Sequence, residues 1–179
     1  MLTYRLTMAD APDIPRPSQL WKQLPAERKQ RAAEAFWKDD SASMEQTEAV
    51  LAIAHRIKFR VSSVLKMPRE KKAKQLVALS SVSEIVAARL LVAYHLDQQR
   101  PMMAAFLDAL GIQHEDGLIA DEALGAPESE KLQAAVKTLS SNFPADDVTL
   151  YLSTLIWQDP ETWGGLADLP ETRGTAASS

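Results

Sequence analysis

Eight cations crowd one short stretch: Arg56, Lys58, Arg60, Lys66, Arg69, Lys71, Lys72 and Lys74 are opposed there by Glu70 alone. Such a run can neutralise phosphates or meet a carboxylate-rich surface. The candidate partner-binding residues are Arg56, Phe59, Arg60, Arg69, Lys71, Lys72 and Lys74. Phe59 is included as the one aromatic close enough to stack on a base. The run is part of a wider asymmetry. Residues 1–100 carry 17 Lys and Arg against 11 Asp and Glu, a net of +6, whereas residues 101–179 carry 3 against 13, a net of −10. A split of this kind calls for an electrostatic partner, either within the fold or on another molecule.

The histidines are a second source of chemistry. His95 is followed by Asp97, and His114 opens the triplet His114-Glu115-Asp116. Two imidazoles and a carboxylate suffice for zinc or non-haem iron, which makes His95, His114 and Glu115 the candidate ligands. The spacing is not a metal signature, because on a helix His95 and Asp97 diverge by about 200°. Neither HExxH nor a Glu-x-x-His pair occurs. Without a metal, His95 reads as a half-buried helix residue and His114-Glu115-Asp116 as a polar turn into Gly117. Arg89 is the one charge in the most apolar stretch, Ile85 to Leu96. Its helical direction falls between Val82, Val86 and Ala93, so it must be paired, with Asp97 or Asp108 as candidate partners. Such a pair would fix the register of that helix; the other role open to Arg89 is to bind an anion at the bottom of a cleft.

Much chemistry is excluded by what the chain lacks. With no cysteine there is no disulfide, thiolate nucleophile or Cys-based metal site. Six glycines form neither a phosphate loop nor a dinucleotide fingerprint, and no serine stands in a nucleophile elbow. Cofactors are therefore not expected. The first ten residues lack the basic and apolar regions of a signal peptide, and the stretch broken by Arg89 is far short of the ~20 residues that span a bilayer. These features lead us to expect a cytoplasmic protein with no membrane partner.

The elements that must position these residues read as helices. Three prolines in residues 9–18 make 1–17 an extended lead-in, and Ser18 can cap a short turn. Pro25, Pro68, Pro101, Pro127 and Pro144 each open a helix. Ser43, with Gln46 three residues on, suggests a capping box for a long helix over 43–66. Its apolar stripe is Val50, Ile53, Ala54, Ile57, Val61, Val64 and Leu65. The segment 82–98 is apolar in nearly every direction and belongs at the centre of a bundle. Residues 112–126 look irregular, with one turn at Asp121–Leu124, and 165–179 reads as a mobile tail. The fold expected is all-α, a compact irregular bundle of seven or eight helices in a single domain over 18–164. A likeness between Leu24–Arg31 and Met67–Lys74 adds the alternative of helical-hairpin repeats. The expected function is non-catalytic: binding of another protein, or of a second copy, as an adaptor, regulator or assembly partner. Nucleic-acid binding through 56–74 is the first alternative. A metal-dependent enzyme using His95 and His114 is the second.

Overall fold

Prolines punctuate the chain, and most helices begin beside one; Pro127 does not open the helix expected there, which starts at Ser129 with Glu128 as its N-cap. The computed structural model describes residues 14–120 and 124–173. Pro17 opens α1 (Pro17–Gln23), and Pro25 is the N-cap of α2 (Ala26–Lys38). After α3 (Ser43–Ile57) and α4 (Val61–Leu65), Pro68 caps α5 (Arg69–Val77). Then come α6 (Glu84–Gln98), α7 (Arg100–Leu110), α8 (Ser129–Asn142), α9 (Ala145–Gln158) and α10 (Pro160–Trp163). Proline supplies the helical φ and gives up only an N–H that the first turn leaves unpaired.

The result is an all-α bundle, as expected, with ten α-helices among the described residues instead of seven or eight. The expected helix over 43–66 is two helices. Lys58 adopts the left-handed conformation (φ 57°) and the Phe59 N–H reaches back to the Ala54 carbonyl, which ends α3 at Ile57, well short of 66. The stripe does not survive the break: Val50, Ile53, Ala54 and Val64 are buried, whereas Val61 and Leu65, expected on the same face, are 41% and 57% exposed because the turn at Lys58 resets the helical phase. Gln46 does not form a capping box. Its amide donates to the carbonyls of Phe36 and Asp39, tying the end of α2 to α3. Ser18 lies inside α1 and bonds Glu84 through both its N–H (3.0 Å) and its hydroxyl (2.5 Å), docking α1 on the start of α6.

The centre of the bundle is α6, which packs against α1, α2, α3, α7 and α9. Two apolar clusters meet around it. One gathers Phe36, Ile53, Leu76 and Leu90 from the first half of the chain; the other gathers Phe106, Leu139, Leu152 and Trp163 from the second. The folded region runs past the expected boundary at 164. A 3-10 turn over Gly164–Asp168 buries Leu166 and Ala167, and Leu169 and Thr172 are buried after it. Residues 165–173 are therefore packed structure and not tail, while 174–179 lie outside the described residues. So do residues 1–13 of the lead-in and Asp121–Ala123 of the expected turn.

Residues 112–120 hold a feature the periodicity does not announce. His114–Glu115 pairs antiparallel with Leu118–Ile119, and Asp116 (φ 49°) and Gly117 (φ 85°) form the two-residue turn between them. Both central residues at positive φ match a type I′ turn, for which Asp-Gly is a preferred pair. A Cβ at Gly117 would lie 2.8 Å from Met103 Cβ, so glycine is also what lets the hairpin sit against α7.

Candidate functional site

The basic residues occupy one corner of the bundle, built from the end of α3, the 58–60 link, α4 and the start of α5. The sequence set divides there into held and free cations. Lys72 lies 4.7 Å from the Trp37 ring centroid, where burial, then Arg69, lowers its pKa. Lys74 pairs with Glu70 at 3.2 Å, and Arg56 donates to Gln75 Oε1 at 3.1 Å. By contrast Lys58, Arg60, Lys66, Arg69 and Lys71 are exposed and have no acidic partner among the described residues.

Apolar side chains stand among them. Phe59 is 54% exposed, Val61 41% and Leu65 57%. Val61 and Leu65 are one helical turn apart and present the same face of α4. Phe59 is carried outward by the left-handed turn at Lys58, a detail no spacing argument contains. The start of α5 adds to the positive potential. Pro68 has no side-chain acceptor to offer its first turn, and Arg69, Lys71 and Lys72 place cations at the positive end of its dipole. An exposed apolar strip ringed by unpaired cations can dock an acidic surface that also carries apolar groups.

Comparison with protein-family models, curated proteins and solved structures finds no match.

Arg89 is held, as expected, but by different partners. Its Nη2 lies 3.2 Å from Asp39 Oδ2 and also bonds the Ser41 hydroxyl. Asp39 accepts from the Ser41 hydroxyl and N–H as well, and those bonds, the hydroxyl one above all, with the Arg89 charge hold its carboxyl below the ordinary range. The two acids expected to serve Arg89 are engaged elsewhere: Asp97 by Arg31 at 3.2 Å and Asp108 by His114 at 2.8 Å.

The histidines sit in unlike surroundings. Gly117 donates its N–H to His114 Nδ1 at 3.1 Å, so the neutral ring keeps its proton on Nε2, facing Asp108 Oδ1. Both nitrogens are thereby committed to the hairpin. Glu115 points elsewhere and is exposed. His95, expected to be half-buried, is 2% exposed in the last turn of α6 and places Nδ1 2.7 Å from the Leu91 carbonyl. No group of three or more His, Asp or Glu side chains placed to share a metal occurs among the described residues. No helix among them is long and apolar enough to cross a membrane.

Sequence reasoning missed the neighbourhood of His95. Tyr151, Leu155 and Trp163 join it around a cavity between α6 and α9. The signal was present as a lone imidazole in an all-round apolar helix, but the partners come from a segment more than fifty residues away.

Proposed function

We propose that this protein acts without catalysis, by binding another protein as an adaptor, regulator or assembly partner in a reducing compartment such as the cytoplasm. The binding surface is the corner formed by Arg56, Phe59, Arg60, Arg69 and Lys71 with Val61 and Leu65. One observation carries the reading: six exposed cations without acidic partners among the described residues, Arg56 included, share 56–71 with three exposed apolar side chains. Lys72 and Lys74 stiffen the corner through Trp37 and Glu70 and contribute charge at a distance. A protein partner is favoured over nucleic acid because aliphatic Val61 and Leu65 gain nothing against a phosphate backbone. They gain about 25 cal/mol per Å² when buried in a protein interface.

The test is a photo-crosslinking amino acid at position 59, in native cells and in lysate at low and moderate salt. The expected result is one discrete crosslinked protein, lost in an Arg60→Glu, Arg69→Glu, Lys71→Glu variant and weakened by Leu65→Ser. Crosslinking that ignores the triple variant would overturn the surface. Retardation of single-stranded RNA or duplex DNA at low salt, falling steeply with added salt, would replace the protein partner with a nucleic acid.

A further inference from the structure

At the far end of α3 from the basic corner, an open groove of about 300 Å³ lies between α6 and α9. Pro17, Ile85, Ala88, Leu91, Val92 and Trp157 give it apolar walls, and two of these are left uncovered: Ile85 is 63% exposed and Trp157 38%. The polar groups of the wall are mostly spent within the fold. Thr154 donates its hydroxyl to the Leu150 carbonyl at 2.7 Å, and Trp157 donates its Nε1–H to the Pro15 carbonyl at 2.9 Å. Arg89, the one cation in the lining, is paired with Asp39, and Gln158 is exposed at the rim. Glu45 is different. It lines the groove and has no cationic partner among the described residues, and neither has Glu48, exposed one turn further along α3. The groove therefore joins apolar walls to an unmatched negative end. The basic corner is its complement, with Phe59, Val61 and Leu65 exposed among cations that have no acidic partner.

We propose that the partner of the basic corner is a second copy of this chain, whose α6–α9 groove receives Phe59, Val61 and Leu65 while Glu45 and Glu48 meet the surrounding cations. The proposal rests on the corner being a binding surface and names what it binds. A copy cannot fill its own groove, because Glu45 and Ile57 are twelve residues apart on α3, roughly 18 Å along a rigid helix. The docking is therefore between molecules. It joins unlike surfaces, so each contact is head-to-tail and leaves one corner and one groove free at the ends of an open assembly. Charge steers the approach, and the three apolar side chains fix the register once they are buried.

The test places a photo-crosslinking amino acid at position 59 of the purified protein at low salt, with some molecules ¹⁵N-labelled so that links between copies are recognised by mass. The expected links run to a second copy at residues 85–92 or 154–158. Ile85→Asp should cut their yield at least about tenfold, and so should Arg69→Glu with Lys71→Glu. Mixing the variants decides the geometry. An Ile85→Asp copy carrying the crosslinker keeps its corner, and the Arg69→Glu, Lys71→Glu copy keeps its groove. Neither should link to itself, whereas the mixture should link. Should Ile85→Asp fail to fold, Glu45→Arg with Glu48→Arg takes its place. No link between copies, links outside the groove, or a mixture that stays unlinked would overturn the proposal. If purified copies do not link while position 59 captures a different protein in native cells, the corner stands as a binding surface and the second copy is not its partner.

Discussion

His95 shows how one residue can set the stability of a whole core. Burial in the last turn of α6 pushes its pKa down from the ordinary 6.5 to about 4, against smaller opposing effects of the Leu91 carbonyl and the Asp147 charge. The unfolded chain therefore takes up a proton near pH 6.5 while the folded chain refuses it. Stability is complete above that pH and falls as the pH drops towards 4, where the folded protein protonates too and the loss stops. At 1.36 kcal/mol per unit, the loss reaches about 2 kcal/mol by pH 5 and about 3 kcal/mol in total. Urea unfolding at pH 7.5, 6 and 5 should show this decline, and His95→Phe should flatten it. The carboxyls of Asp39 and Asp159 lie below their ordinary 3.8, so their contribution is lost in a separate, more acid window. A wild-type profile that stays level from pH 7.5 to 5 would mean that His95 is protonated within the fold.

At the scale of elements, the break between α3 and α4 is the point where local preference and tertiary structure disagree. Lys58 holds a left-handed conformation that glycine adopts without a Cβ penalty. Lys58→Gly should therefore stabilise the protein by roughly 0.5–1 kcal/mol in urea unfolding, while Lys58→Ala, which removes the same charge, should not. A destabilised glycine variant would place the cause of the turn in the lysine side chain itself. The same site explains the limit of the sequence reading. Proline-initiated helices, the stop at Gly111 and the central place of α6 were legible because each rests on a local rule. The helix end at Lys58 was not, since no Gly or Asn marks it and the stripe runs through it unbroken in the sequence. The hairpin was written in Asp116-Gly117, but two-residue strands are too short to show alternation. Leu166, Leu169 and Thr172 read as tail because their burial depends on α8 and α9, which no local pattern reveals. Arg89 is paired but is not in the core: its side chain is 27% exposed, and its partner comes from the turn after α2, fifty residues upstream.

For the whole molecule, folding leaves the two charges of the chain apart. Among the described residues, the ion pairs that join the first hundred residues to the rest are Arg28 with Asp147 (2.9 Å) and Arg100 with Asp116 (3.7 Å). Neither involves the basic corner. Glu128, Glu130, Asp146, Glu161 and Asp168 are exposed on the other half. Each molecule thus presents a concentrated positive surface and a diffuse negative one, and two copies attract when basic meets acidic. Such contacts join unlike surfaces, so they need not close into a symmetric dimer and can extend from copy to copy. They act across roughly 30 Å at 10 mM salt but only about 10 Å at 100 mM, which makes ionic strength the control. Sedimentation velocity should show a weight-average coefficient that rises with concentration in 10 mM NaCl and stays constant in 300 mM. Arg69→Glu with Lys71→Glu should remain monomeric in both, because the attraction then loses its positive end. If the wild-type coefficient is independent of concentration even at 10 mM, the exposed acids are too dispersed to serve as a ligand. The corner would then require a partner with denser negative charge than this chain itself carries.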